Sequence, residues 1–126
     1  MSMKRLLFAF LSVAFFAACS GQISPTALIK VEGGMIRGTV AEDMLVFKGI
    51  PFAAPPVGDL RWKAPQPVVP WEGIRDASKF GPSPISSMGF PRDMSEDCLY
   101  LNIWSPARST ADKLPVFFYI HGGGFT

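Results

Sequence analysis

A run of glycines near residue 121 is the feature of the sequence with the clearest chemical potential. His121 is followed by three consecutive glycines and then by Phe125. Glycine backbone reaches conformations that a Cβ would forbid, and it can approach a bound molecule closely. Successive backbone N–H groups of such a loop can converge on one point and stabilise a negative charge that develops there. The residue types therefore point to an oxyanion hole.

Phosphate binding is the main chemical alternative for a glycine loop, and the spacing argues against it. A phosphate loop requires G-x-x-x-x-G-K-[ST], whereas no lysine follows these glycines. The dinucleotide fingerprint G-x-G-x-x-G is also missing. Two interpretations remain open at this stage, namely an oxyanion hole and a glycine-rich turn that merely closes a strand.

His121 is the only histidine in the sequence and therefore a candidate general base. It lies beside the prospective N–H donors rather than opposite them, and no serine is placed for it to activate. We expect a packed, hydrogen-bonded histidine and not a catalytic one.

The element that must position this loop is the apolar stretch immediately before it. Residues 114–120 (LPVFFYI) are apolar on both faces of a would-be strand. That pattern is typical of a central strand covered by helices on each side. Open α/β sheets place their active sites at the carboxyl ends of such strands, which is where the glycines lie.

The preceding residues predict a small antiparallel meander and one further strand. Gly33 and Gly34 are a two-residue hairpin signal, and the prolines of residues 49–58 are incompatible with regular structure. A half-buried strand is indicated by the alternation of residues 99–104. The expected strands are 28–32, 35–40, 44–48, 99–104 and 114–120.

Composition and charge exclude several classes of protein. Hydrophobic residues make up 48% and charged residues 17%, as in a folded globular protein rather than a disordered one. The net charge is only +2 and no basic run is longer than two residues, so we expect no nucleic-acid partner. No cofactor or metal is expected either.

The N-terminus has the layout of an export signal. Lys4 and Arg5 precede the apolar residues 6–16, and small residues follow. Residues 1–18 are therefore expected to be a leader, with Cys19 lipidated as the mature N-terminus, or else cleavage follows Ser20. Residues 22–27 would form a tether. Both possibilities place the protein in the cell envelope, periplasm or outer membrane, or outside the cell, with a membrane contact only through lipid on Cys19.

Four blocks of residues carry a resemblance to a known family. The chain resembles the type-B carboxylesterases and cholinesterases, which are α/β-hydrolases. The last block is the glycine run, and residues 96–106 look like the N-terminal signature of the family. The blocks are residues 47–53 (FKGIPFA), 55–62 (PPVGDLRW), 95–104 (SEDCLYLNIW) and 121–125 (HGGGF).

This resemblance implies both a fold and an activity. Residues 22–126 would be the N-terminal part of an α/β-hydrolase domain, containing the meander and the first strands of the central mixed sheet. Gly123 and Gly124 would donate oxyanion N–H groups, and Arg61 and Glu96 would form a buried structural ion pair. The substrate would be a small ester, hydrolysed through a serine acyl-enzyme. The nucleophilic G-x-S-x-G motif occurs nowhere in these residues, so the chain is expected to be an inactive N-terminal piece of a longer enzyme.

The sequence departs from the family pattern at one loop. Some family members bridge the position of Cys98 to a cysteine in the upstream F-G-P segment, but residues 80–84 contain no cysteine. Packing and the Arg61–Glu96 pair are then expected to hold the loop of residues 83–97. The loop also lacks the tryptophan of choline-hydrolysing members, which favours a general bacterial esterase. A non-catalytic binding or adhesion module remains the alternative, and the oligomeric state is left open.

Overall fold

The fold is built from short strands and one helical turn. A computed structural model describes residues 27–86, 93–109 and 111–122. Within these ranges no helix is long and apolar enough to cross a bilayer. The strands are β1 (Leu28–Val31), β2 (Gly34–Arg37), β3 (Thr39–Ala41), β4 (Met44–Pro51), β5 (Ile74–Asp76) and β6 (Tyr100–Ser105), and a 3-10 turn spans Gly58–Leu60.

Both turns of the predicted meander are present, although one of them is shifted. Strands β1 and β2 close on the pair Val31–Gly34, so the loop residues are Glu32 and Gly33 rather than the two glycines. Strands β3 and β4 are joined by Glu42 and Asp43, whose φ angles are 48° and 63°. Positive φ at both loop positions matches the right-handed twist of the flanking strands.

The predicted meander is wrong in one respect, because the chain changes sheet at Gly38. The expected strand 35–40 divides into β2 and β3, which belong to separate sheets of order β1-β2-β5 and β3-β4-β6. A Cβ on Gly38 would lie 2.6 Å from the Phe47 ring, so the chain crosses β4 too closely for any side chain. This close crossing requires glycine and explains the break.

Strand β4 extends beyond its predicted end and organises the second sheet. The sequence predicted a loop from residue 49, but β4 continues to Pro51 with a register shift between Phe47 and Ile50. Gly49 has a φ of +63° within this bulge, and its N–H donates to the side-chain oxygen of Asn102 on β6 at 3.0 Å. The proline is the last residue of the strand.

The core lies between the two sheets. Its fully buried cluster joins Ile36 of β2 and Ala77 after β5 to Phe47 and Ile50 of β4. Because each sheet supplies half of this cluster, burial of the same apolar surface stabilises both sheets together.

Trp71 fixes the first hairpin, and strand β5 follows from it. Its backbone N–H donates to the Gly33 carbonyl at 2.9 Å, and its indole N–H donates to the Met35 carbonyl at 2.9 Å. A Cβ on Gly34 would lie 2.8 Å from the indole nitrogen. The two glycines therefore leave room for the indole in addition to shaping the turn. Strand β5, which the sequence did not predict, then pairs with β2 in parallel.

The segment before the glycine run differs most from its prediction. Residues 114–120 form no strand, and Val116 and Phe117 are each 89% exposed. A strand exists through its pairing with a neighbour, and the described residues provide none for this segment. By contrast, the predicted strand 99–104 is confirmed within one residue as β6, antiparallel to β4.

Candidate functional site

The glycine run is only partly within the described residues. Gly123 and Gly124, the expected oxyanion donors, lie outside them, as does Cys19. Gly122 is exposed and has no atom within 4 Å of the position that a Cβ would occupy. The start of the loop is therefore open to solvent.

His121 is exposed rather than packed, which corrects the expectation of a packed residue. Its Nδ1 lies 2.8 Å from the carbonyl oxygen of Gly122, the next residue. Within the described part of the chain no serine hydroxyl or carboxylate is bonded to the imidazole. The local geometry contains none of the partners that a general base needs.

Arg61 and Glu96 come together across 35 residues of sequence. Arg61 Nη2 lies 2.5 Å from Glu96 Oε1, and the two side chains are 57% and 35% exposed. Arg61 follows the 3-10 turn, and its N–H donates to the carbonyl of Gly58 at 3.1 Å. The pair thus links the loop after β4 to the segment before β6. Among the described residues the pair is partly exposed, whereas the family resemblance implies a buried pair in the whole protein.

The exposure of the pair sets the expected effect of removing it. Glu96→Ala in the whole protein should lower the free energy of unfolding by less than about 1 kcal/mol, because water screens an ion pair that keeps the exposure it has among the described residues. Urea denaturation measures this loss. Glu72→Ala is the matched control, since Glu72 is exposed and makes no ion pair among the described residues. A difference of about 3–5 kcal/mol between the two variants would show a buried pair and contradict the expectation.

A second cluster, which the sequence analysis missed, lies between β5 and β6. The Tyr100 hydroxyl donates to Asp97 Oδ2 at 3.0 Å. The Arg75 guanidinium lies 5.3 Å from the Trp71 ring and 5.8 Å from the Tyr100 ring. These four side chains form part of the lining of an open groove of about 340 Å³. Of these contacts, only the Asp97–Tyr100 hydrogen bond joins residues close enough in sequence to be expected from their spacing. Trp71 and Arg75 come from a distant loop and strand.

Burial controls the ionisation of the groups in this segment. Partial burial, followed by the hydrogen bond to Asp97, raises the pKa of Tyr100, so its phenol stays protonated and can keep donating. Burial also raises the pKa of Cys98, with smaller contributions from the neighbouring Asp97 and Glu96 carboxylates. The Cys98 thiol is free and is thereby kept from its nucleophilic thiolate form.

Backbone hydrogen bonds, in addition to the ion pair, close the loop that lacks the disulfide. The Ser83 N–H donates to the Asp93 carbonyl at 3.0 Å, and the Ser95 N–H donates to the Ser83 carbonyl at 2.9 Å. These bonds form an isolated parallel bridge between Ser83 and Met94. The ends of the loop are therefore held without a covalent link.

Comparison with known proteins identifies relatives of this chain. A sequence profile described as the carboxylesterase family matches residues 25–126. The chain is 45% identical over 107 residues to fumonisin B1 esterase of Sphingopyxis macrogoltabida, covering 81% of this chain and 20% of that protein. It is 41% identical over 106 residues to para-nitrobenzyl esterase of Bacillus subtilis, covering 78% of this chain and 21% of that protein.

Solved structures give the same relationship for the fold. A carboxylesterase of Geobacillus stearothermophilus superimposes with a TM-score of 0.71 at 44% identity, covering 79% of this chain and 20% of that one. The described strands thus form the N-terminal part of an α/β-hydrolase fold, as predicted. The chain spans about a fifth of the length of the relatives that it matches.

Proposed function

The chain belongs to the carboxylesterase family, and from this premise we propose that the whole protein hydrolyses carboxylic esters through a serine acyl-enzyme. In this proposal the chain contributes the oxyanion loop, while the nucleophile and its base come from the remainder of the whole protein. Attack of the serine Oγ on the ester carbonyl forms the acyl–oxygen bond and expels the alcohol. Water then releases the carboxylic acid and restores the serine.

The observation that carries the proposal is the glycine run inside the family match. Residues 121–124 read His-Gly-Gly-Gly, the HGGG-type motif that supplies oxyanion donors in lipases and esterases. Such donors act on the negative charge of the tetrahedral intermediate, which a protein without catalysis does not need to stabilise. The motif therefore favours an enzyme over a non-catalytic adhesion module.

The roles assigned to Gly123 and Gly124 follow from the same motif. Each would present a backbone N–H to the carbonyl oxygen as it becomes an oxyanion. A third N–H would come from the residue after the nucleophile. The matching relatives are named for different esters, and we propose a small carboxylic ester as the substrate class.

Covalent trapping of the nucleophile tests the proposed mechanism. The whole protein should hydrolyse p-nitrophenyl butyrate and lose this activity as a fluorophosphonate adds once per molecule. In that reaction the serine Oγ forms the P–O bond and fluoride leaves. Intact mass and residual activity should fall on the same titration curve, because one serine performs the chemistry.

Two outcomes would contradict the mechanism. Hydrolysis that persists in a fully labelled protein would show that the labelled serine is not the nucleophile. A whole protein that neither turns over the ester nor accepts the label would be a non-catalytic member of the fold.

We also propose that the protein is exported and that lipid on Cys19 anchors it. The support is the order of charged, apolar and small residues over positions 4–21. The intact mass of the protein from its native host should lack residues 1–18 and carry a lipid increment on Cys19. An unmodified N-terminus at Gly21 would contradict lipidation while leaving export standing, and an intact residue 1 would contradict both.

A further inference from the structure

The contact between the His121 imidazole and the backbone of the next residue has a defined direction. Nδ1 of the imidazole lies 2.8 Å from the carbonyl oxygen of Gly122. A carbonyl oxygen can only accept a hydrogen bond, so Nδ1 must carry the proton of this contact and donate it. The imidazole therefore acts here as a hydrogen-bond donor to the backbone of the glycine loop.

The carbonyl that accepts this bond belongs to the same peptide unit as the first proposed oxyanion donor. The C=O of Gly122 and the N–H of Gly123 are the two polar ends of one planar amide. In a trans amide these two bonds point in opposite directions. A group that holds the oxygen of the unit consequently sets the direction of its N–H.

This peptide unit needs a restraint because a glycine lies on each side of it. Neither Gly122 nor Gly123 has a Cβ, so rotation of the amide plane between them is less restricted than elsewhere in the chain. An oxyanion donor is most effective when it already points to the place where the charge develops. The hydrogen bond from His121 supplies a restraint from within the loop. It also polarises the amide, because hydrogen bonds in a chain strengthen one another.

From these steps we propose that His121 is a positioning residue of the oxyanion loop. Its Nδ1–H holds the Gly122 carbonyl so that the N–H of Gly123 points at the oxyanion. The imidazole does not touch the reacting atoms and transfers no proton. This inference rests on the proposed esterase function, and it gives the only histidine of the sequence a role other than that of a general base.

Two substitutions in the whole protein separate the N–H donor from the ring. His121→Phe keeps a flat ring without an N–H. It should lower kcat about tenfold, the effect of one hydrogen bond, and leave KM nearly unchanged, because the lost restraint acts on the transition state. His121→Asn should keep kcat within about twofold of the unmodified protein, since its side-chain N–H is as many bonds from the backbone as Nδ1. Asparagine cannot act as a base, so this rescue also separates positioning from proton transfer.

Labelling with a fluorophosphonate counts the active sites in each preparation. When kcat is expressed per labelled site, molecules that fail to fold do not lower the measured value. The comparison between His121→Phe and His121→Asn therefore reports on the hydrogen bond and not on the yield of folded protein.

A double-mutant cycle tests whether the histidine acts through the Gly123 amide. Once Gly123→Ala has misdirected that N–H, the restraint has nothing left to position. Adding His121→Phe should then lower kcat by no more than about a further twofold. Gly58→Ala is the matched control, because Gly58 lies in the 3-10 turn and not in the loop. In that background the full tenfold effect of His121→Phe should remain, since independent sites are additive.

Three results would overturn this inference while the protein remains an esterase. The first is a His121→Phe variant with the kcat of the unmodified protein. The second is a His121→Asn variant as slow as His121→Phe, and the third is an undiminished loss when His121→Phe is added to Gly123→Ala. An unmodified protein that neither hydrolyses p-nitrophenyl butyrate nor accepts the label would instead overturn the proposed function, and this inference with it.

Discussion

Ester hydrolysis by the purified 126-residue chain is expected to equal that of buffer alone. The chain contains no G-x-S-x-G motif. The Nδ1 of its only histidine lies within hydrogen-bond distance of the neighbouring Gly122 carbonyl oxygen. Oxyanion donors stabilise an intermediate, but a nucleophile must first generate it. The measurement is p-nitrophenyl acetate hydrolysis, with bovine serum albumin at equal mass as a control for unspecific acyl transfer.

We expect the purified 126-residue chain to be only marginally folded as well as inactive. The described strands are short, and the core contains few fully buried side chains, Phe47 and Ile36 being the largest. Small sheets with so little buried apolar surface are marginally stable. We expect a broad thermal transition by circular dichroism. Turnover that disappears when Gly123 and Gly124 are changed would contradict the prediction, and so would a sharp cooperative melt.

In the whole protein, substitution of either proposed oxyanion glycine is expected to abolish most activity. Gly123→Ala or Gly124→Ala adds a Cβ that restricts the backbone of the loop and misdirects its N–H groups. Loss of one donor should lower kcat about 10²–10³-fold. The value of KM should change little, because these hydrogen bonds strengthen only as the oxyanion forms.

Gly58→Ala provides a control for the general effect of replacing a glycine. A Cβ there meets nothing within 4 Å, and the φ of +55° makes the substitution strained without removing an oxyanion donor. Its kcat should match the unmodified protein even if its melting temperature falls. If Gly123→Ala and Gly124→Ala raise KM and leave kcat unchanged, the loop binds substrate and does not form the oxyanion hole.

The hairpins and β6 could be predicted because their signals are local. Alternating apolar residues and adjacent turn residues fix these elements within a short window, as for residues 99–104 and β6. Strand β5 has no such signal, since its three residues form a strand only by pairing with β2 about 40 positions earlier. The division of one predicted strand at Gly38 likewise depends on the approach of Phe47 from another hairpin.

The candidate site shows the same difference between local and distant information. The Arg61–Glu96 contact was predicted from a family resemblance. A resemblance indicates which residues pair but not how exposed their side chains are to solvent. The Asp97–Tyr100 hydrogen bond lies within three residues, yet its link to Arg75 depends on where β5 lies. Residues 114–120 have a genuine strand composition, but pairing and not composition makes a strand.

The pairing of β4 with β6 also has a consequence for the order in which the chain folds. The two hairpins close two-residue loops and can form within microseconds. The β4–β6 ladder must instead enclose roughly 50 residues between Pro51 and Tyr100, which adds about 3 kcal/mol of loop-closure entropy. A ribosome needs several seconds to synthesise that many residues, at about 5–20 residues per second. During synthesis, therefore, the edge of β4 that pairs with β6 stays unpaired about a million times longer than the hairpins take to form.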